Sequence, residues 1–483
     1  MPASGFVRNF QPLGILTEGQ IEVIYRGALD VLEKTGLRFQ SRRALQILEK
    51  GGCRVDYENE RARMAPALVE QSLKQCPQSF TMRASNPDHN VTISGDTTHF
   101  ALFAGMRTVD LDTWEPRVPT VEDNNVACKI ADGLEFVDGS TSYTPYSEFA
   151  GEPPAMILPI STWSRLRYFS KISRIGSAVD SYIFELQMAQ AIDVDIFGAM
   201  ESAPPLTYDE SASDCGLACA EAGMPVEPGA CGIMGGSHPA TLSGALVTAM
   251  AEVMGGIVLI QLARPGNPVF AHIFPVPQNM RSGLPRLGAI STSLVQVCWN
   301  QIWRTLYGIP TMNGGNGASE SKQIDFQVGY EKSMGMLLSS ISGASWINII
   351  GGLNAELSYH PVQSVLDNDV AGSIARFLQG VQVTDDTLAL DLINEVGPVP
   401  GFFLDKVHTM QWWRRETFEP HAADTLPYAE WLKSGRKTAL DYARQRADQL
   451  LAEYRPSLTP AQETQLDSIL EEARAYYRER GLA

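Results

Sequence analysis

Cationic side chains are in short supply. Against 55 Asp and Glu the 483 residues offer 38 Lys and Arg, a formal net charge of −17. Nucleic acid and anionic membrane surfaces both need a basic footprint, so neither is expected as a partner. Cysteine is scarce too: seven thiols, an odd number at irregular spacing, argue against a disulfide framework and fit a reducing cytoplasm. No apolar core of a secretory signal opens the chain. The longest greasy stretch, Met250 to Ala263, carries Glu252 and two glycines and reads as too short for a bilayer, so a cytoplasmic location is expected.

Motifs are missing as well. There is no His-x-x-x-His, Cys-x-x-Cys or His-x-Glu, so no metal site is expected; Cys215, Cys219 and Cys231 come closest and read as core cysteines. Without a Gly-x-Ser-x-Gly elbow, the run Gly235-Gly236-Ser237-His238 reads as a helix N-cap at Ser237. Gly-Gly-Asn-Gly at 314 to 317 has neither Walker nor dinucleotide spacing, which disfavours a nucleotide enzyme.

What is present is an alternation. The length suits one large domain with extensions, and 44% hydrophobic residues supply its core. Residues 1–80 read as a helical segment: a Thr17/Gln20 capping box, a stop at Gly36, a second helix from Ser41 and a third over Pro66 to Cys76. Short alternating runs between Phe80 and Thr120 predict antiparallel strands decorating an entrance. Eight strand-like runs follow, at His99 to Gly105, Phe136 to Thr144, Arg174 to Val179, Ala199 to Leu206, Val226 to Gly235, Asn267 to Phe274, Ile309 to Gly314 and Ser345 to Gly351, with helix-like runs between them. Eight β-then-α units predict an α/β fold, a (β/α)₈ TIM barrel over 81–380, ahead of an open doubly wound sheet. Residues 381–483 read as a C-terminal helical extension, with caps at Thr384 or Asp385 and at Thr459.

In such a barrel, chemistry collects where the strands end. The stretch from Ile309 to Ile341 reads as strand, glycine loop and helix, with Ser319 or Ser321 as helix cap. The strand ends are rich in aromatics and amides: Tyr143, Tyr146, Glu148, Arg174, Glu201, His238, His272, Asn313, Asn316, Asn354, Glu356, Tyr359 and His360. They offer no convincing Lys or acid pair for a lyase or aldolase. Rings, amides and a carboxylate suit a quaternary ammonium, which ring faces hold without hydrogen bonds. The competing reading is structural, since a single tyrosine is more often core than cage.

Three blocks resemble the trimethylamine methyltransferase (MttB) superfamily: Gly-Gly-Ser-His-Pro-Ala-Thr-Leu (235 to 242) running on to Ala-Arg-Pro-Gly-Asn-Pro-Val (263 to 269); Ser-Lys-Gln-Ile-Asp-Phe-Gln-Val-Gly-Tyr-Glu (321 to 331); and Val-Thr-Asp-Asp-Thr-Leu (383 to 388) continued through Glu-Val-Gly-Pro (395 to 398) to Phe-Leu-Asp-Lys-Val-His-Thr (403 to 409). The resemblance implies a barrel that passes a methyl group from a methylated amine to the Co(I) of a corrinoid (cobalamin) presented by a cognate partner protein, with no tightly bound cofactor of its own. Written throughout in standard residues, the chain resembles the non-pyrrolysine branch, whose members demethylate quaternary amines such as glycine betaine, proline betaine or carnitine. A tertiary amine leaves as a neutral molecule, so no catalytic acid or base is needed; the expected work is orientation and desolvation. On this mechanism Tyr143, Tyr146, Phe274 and Tyr359 are cage candidates and Glu356 adds charge. Asn313, Asn316, His272 and His360 contact the substrate, with Asn313 and Asn316 positioning the methyl. Gly235, Gly236, Gly314, Gly315, Gly351 and Gly352 let the flat corrin approach. The alternative is a quaternary-amine binding or sensing barrel without turnover. Self-association is left open.

Overall fold

The computed structural model describes residues 5–315 and 318–482. Eight parallel strands lie side by side in chain order: β1 (Thr97–Leu102), β2 (Gly139–Ser140), β3 (Ile172–Ile175), β4 (Ile196–Glu201), β5 (Val226–Ala230), β6 (Ala271–Ile273), β7 (Thr311–Gly314) and β8 (Trp346–Ile350). β8 pairs with β1, Trp346 opposite His99, and the sheet closes. The eight predicted units are all there, and the fold is a (β/α)₈ barrel.

Three helices precede the barrel: α1 (Glu18–Lys34), α2 (Arg42–Lys50) and α3 (Pro66–Gln75). The Thr17/Gln20 capping box forms as the sequence predicts. The outer ring follows: α4 (Val121–Asp132), α5 (Ile157–Tyr168), α6 (Tyr182–Ala191), α7 (Glu210–Glu221), α8 (Leu242–Ala263), α9 (Ile290–Leu306), α10 (Phe326–Ser342) and α11 (Pro361–Leu378). At 22 residues α8 is longer than the greasy run suggested, long enough to cross a membrane, yet 83% of its most apolar window is buried inside the protein. Because α1, α2 and α3 cover its outer side, it is apolar all round.

Inside the barrel, Ala101, Ile172, Phe197, Phe270, Met312 and Trp346 form one apolar cluster. Gly139 must lack a side chain, because a Cβ there would run into the Trp346 ring. Ser79–Met82 pairs antiparallel with Val91–Ser94, and Met82, Val91 and Ile93 join that same cluster. This hairpin therefore stoppers the strands' N-terminal end. It is not at the entrance, unlike the hairpin Thr108–Val109/Pro116–Arg117, which follows β1.

Two local readings are corrected. Asp325, not Ser319 or Ser321, caps α10, accepting from the Gln327 and Val328 amides at 2.9 and 3.2 Å. The serine hydroxyls are engaged elsewhere, Ser319 donating to Glu331 at 2.5 Å and Ser321 to Asp325 at 2.9 Å. Ser237 accepts from the Ile233 amide at 3.0 Å within a turn, and α8 begins only after Thr241.

Candidate active site at the strand C-termini

Above the apolar plug the lumen changes character. The alternation that points Ile172, Phe197 and Phe270 inward also turns Arg174, Glu201 and His272 inward, an even number of residues further along each strand. Arg174 sits at the centre. Its Nη2 donates to Glu201 at 2.7 Å and its Nε pairs with Glu227. His272 Nδ1 meets the same Glu227 carboxylate and lies 3.6 Å from Glu201. Burial works to raise the Glu201 carboxyl, but Arg174 and then His272 outweigh it and hold the group below the usual carboxylate range. Burial likewise opposes the Arg174 charge, and Glu201 and Glu227 more than restore it.

A second layer fixes these groups. Arg165, fully buried, donates to the Ser142, Thr144 and Arg174 carbonyls at 2.6, 3.0 and 3.1 Å, tying the ends of β2 and β3 together. Lys332 and Asp367 form a buried pair at 2.6 Å. Through Gly352 O at 2.8 Å and Gly351 N at 2.7 Å they clamp the turn after β8. Glu252 does the same after β4, accepting from Ser202 Oγ and Leu206 N at 2.7 Å each and meeting His238 at 3.2 Å.

Glu201, Cys231 and His272 bring potential ligand atoms within 4.8 Å of one another. Of the three cysteines weighed as ligands, only Cys231 lies here; Cys215 and Cys219 are buried in α7. These donors are already engaged. Arg174 pairs with Glu201, Glu227 holds His272, and burial followed by Glu201 and Glu227 pushes the Cys231 thiol well up.

Where the lumen opens, Glu201 leaves 39% of its side chain accessible and Tyr143 is 37% exposed. Burial, then Glu185 and Glu201, push the Tyr143 hydroxyl up to about 12. Phe274 packs over the end of β7 beside Phe103, with ring centroids 6.2 Å apart. Glu356 stands in the turn after β8, and burial with Glu201 close by raises its carboxyl above the usual range. Glu356 also lines a cleft of about 280 Å³ with Arg286, Lys322, Leu284, Asn354 and Glu320.

The structure gathers Tyr143, His272, Phe274 and Glu356 from the predicted set and places the other described members elsewhere. Tyr146 and Tyr359 are core, 5.3 Å apart edge to face. Tyr146 donates to Thr108 at 3.1 Å and Tyr359 accepts from Ser364 at 2.8 Å, so neither offers a free ring face. Asn313 follows the inward-facing Met312, so its side chain turns out to the helix layer and donates to Ser339 at 2.9 Å. That orientation removes it from methyl positioning. Asn316 lies outside the described residues. His360 caps α11, its Nδ1 accepting from the Val362 amide at 3.1 Å. Four of the glycines serve internal packing: a Cβ on Gly314 or Gly315 would strike His272 or Phe274, and one on Gly351 or Gly352 would strike Tyr359 or Phe103. Gly235 and Gly236 are exposed, with the nearest neighbours of a Cβ at 3.7 and 3.0 Å.

Glu227 is the residue that sequence reasoning missed, and Arg174 and Glu201 were given no role. Together with His272 they are the titratable set that seemed to be lacking. A parallel barrel strand buried on both faces should be nearly all apolar, so Val-Glu-Pro-Gly-Ala at 226 to 230 carried the signal.

A closed parallel barrel with a charged, ring-flanked chamber at its strand C-termini has the architecture of a (β/α)₈ enzyme. The family model described as trimethylamine methyltransferase (MTTB) matches residues 2–144 and 181–476, and the chain belongs to that family of methyltransferases. It is 30% identical to the glycine betaine methyltransferase of Desulfitobacterium hafniense strain Y51, over 97% of each chain. It is 28% identical to trimethylamine methyltransferase MttB of Desulfitobacterium hafniense strain DSM 10664 / DCB-2, covering 98% of this chain and 96% of that one. The solved monomethylamine methyltransferase of Methanosarcina barkeri aligns with 90% of this chain and 88% of its own at 11% identity and a TM-score of 0.49.

Proposed function

We propose that this chain is a cytoplasmic quaternary amine:corrinoid protein Co-methyltransferase, taking a methyl group from a betaine-like ammonium ion. The supporting observation is the excess of negative charge at the chamber mouth. Glu201, Glu227 and Glu356 stand against the single guanidinium of Arg174, with the rings of Tyr143 and Phe274 beside them. Two carboxylates close enough to perturb one another are relieved by a cation between them. Ring faces add attraction that asks for no N–H donor.

In this reading Tyr143, Phe274, Glu201 and Glu356 hold the ammonium head, and the packed lower lumen excludes water beneath it. Among the described residues the chamber itself offers no free guanidinium for a substrate carboxylate, because Arg174 is committed to two glutamates. That group is assigned instead to the cleft beyond Glu356, where Lys322 donates only to the Glu320 carbonyl at 2.7 Å and half-exposed Arg286 shares its guanidinium with Glu320 at 3.2 Å. No side chain moves a proton, since the departing tertiary amine is neutral. Bound at the mouth, a corrinoid would supply the Co(I) nucleophile that accepts the methyl. Exposed Gly235 and Gly236 fit the approach of a flat macrocycle, whereas the glycines at 314, 315, 351 and 352 are filled from within.

The test is to mix the protein with a Co(I) corrinoid carrier and a panel of glycine betaine, proline betaine, carnitine and choline. Methyl-Co(III) spectra with at least one amine are expected. Binding heat without methylcobalamin would turn the reading to a sensing barrel, and silence in both measurements would overturn it.

A further inference from the structure

Strand β5 and the residue after it carry a pattern that ammonium binding leaves unused. Glu227, Gly229 and Cys231 fall two residues apart, so all three turn to the lumen, and the middle one has no side chain. A Cβ on Gly229 would come within 2.7 Å of His272 Nδ1 and 3.2 Å of both Glu227 Oε1 and Glu201 Cγ. The glycine leaves room where three strands present their polar groups.

Three different donors border that room. Glu201 ends β4, Cys231 follows β5 and His272 lies in β6, and their ligand atoms are all within 4.8 Å of one another. His272 Nδ1 is 3.6 Å from Glu201. Ligand atoms of a tetrahedral zinc site stand about 3.5 Å apart, so side-chain motion of roughly an ångström completes the set. Ligands drawn from three strands leave no linear motif in the sequence.

The engagements these donors make in the chamber are exchangeable. Glu201 can turn from Arg174 to a metal while Arg174 keeps its pairing with Glu227. His272 Nε2 has no hydrogen-bond partner among the described residues, so no neighbour pins the proton to Nδ1, and Nδ1 can become the ligand. Charge agrees with this. Glu201 and Glu227 exceed Arg174 by one unit, a thiolate adds a second, and a divalent ion brings the sum to zero where unbalanced charge is costly.

We propose that Glu201, Cys231 and His272 form a binding site for a thiophilic divalent cation, zinc above all, which closes the chamber to ammonium ions. Thiolate, imidazole and carboxylate together suit zinc and disfavour magnesium and calcium, which take oxygen ligands. On binding, the Cys231 S–H bond breaks, sulfur keeps the electron pair and bonds to the metal, and the proton leaves to water through the mouth, where Glu201 is accessible. Uptake therefore rises with pH. The metal takes the Glu201 carboxylate that the ammonium head would use; that exclusion rests on the quaternary-amine reading, and metal capture does not.

Titration of the chelator-treated full chain with Co²⁺ at pH 8 tests the site. One Co²⁺ per chain is expected, with near-ultraviolet thiolate-to-cobalt absorption and the visible bands of tetrahedral Co(II), and Zn²⁺ should displace both. Cys231→Ser should lose the thiolate absorption and bind Zn²⁺ at least about tenfold more weakly, the scale set by the loss of even an outer partner, with unchanged far-ultraviolet circular dichroism. X-ray absorption of the zinc-loaded parent, which needs no variant, should show one sulfur with nitrogen and oxygen ligands. In calorimetry the zinc-loaded protein should bind glycine betaine or tetramethylammonium far more weakly than the metal-free protein. Absence of metal uptake, zinc without a sulfur ligand, or thiolate absorption that persists in Cys231→Ser would overturn the proposal. Equal ammonium affinity with and without zinc would overturn the exclusion. A metal-free chain that binds no quaternary amine would sink the proposed function instead, and the cobalt spectrum would still decide the metal site.

Discussion

The lower and upper halves of the barrel lumen are built from the same strands and hold opposite chemistry. Ile172 lies below Arg174, Phe197 below Glu201 and Phe270 below His272. Below, rings interlock, Phe197 with Phe270 at 5.1 Å and with Trp346 at 5.5 Å. Above, Arg174 pairs with both Glu201 and Glu227, and His272 meets Glu227. The first half is maintained by shape and tolerates small losses; the second is maintained by pairing, and removing one member leaves the others buried and uncompensated.

That contrast is broken most severely at Arg174. Replacing it by Met leaves Glu227, fully buried, without the guanidinium and with His272 alone facing it, and a loss of roughly 3–5 kcal/mol in urea unfolding is expected. Phe197→Leu below it should cost no more than about 1.5 kcal/mol if the neighbours repack. Equal losses at the two sites would show that the upper half is not governed by pairing.

The mouth sharpens the comparison through ligand binding. Glu201→Gln should weaken binding of a quaternary amine by about tenfold, the scale of one charge pair near a protein surface. Glu356 adds a pH signature. Its carboxyl is raised by burial and by Glu201, so it ionises later than an ordinary glutamate, and cation affinity should climb as pH rises through that raised value. Calorimetry across pH 4 to 8, roughly the span of a perturbed glutamate, should find the climb flattened in Glu356→Gln. A climb of the same size in that variant would assign it to another group.

The eightfold alternation was legible because helix and strand periods differ and glycine and proline mark the joints. The upper lumen was legible only in part. Tyr143, Phe274 and His272 were recognised as strand-end residues, but parity decides which strand-end residues face inward. Asn313, one position from the inward-facing Met312, could have been set aside on that ground. Tyr146 and Tyr359 could not, because their burial depends on each other and on Thr108 and Ser364, contacts that no local pattern records. Glu227 was hidden inside a run read as plain strand.

A smaller effect separates the two kinds of tyrosine. Tyr143→Leu should lower quaternary-amine affinity by about two- to fivefold, the worth of one cation–ring contact, with little change in stability. Tyr146→Phe should do the reverse, costing about 1 kcal/mol for the lost hydrogen bond to Thr108 and leaving affinity unchanged. Calorimetry and urea unfolding on both variants read the exchange directly.

The least conspicuous effect lies outside the lumen, at His360. Burial, then Arg444 and Arg117, lower this imidazole from 6.5 to about 4, and it sits at the N-terminus of α11, where the helix dipole also disfavours a positive charge. In the unfolded chain the ring binds a proton near its ordinary value, while in the folded chain it stays neutral to a lower pH. Between the two values the unfolded state holds more protons, so the stabilisation this group provides is present above about pH 6.5 and lost as the pH falls toward about 4. His360→Asn keeps an N-cap acceptor for Val362 and removes the titration. The variant should match the parent at pH 8, become relatively more stable at pH 5, and bind quaternary amines as the parent does at both. Loss of ligand affinity at pH 8 would return His360 to the site from which its hydrogen bond and its position beside Arg117 exclude it.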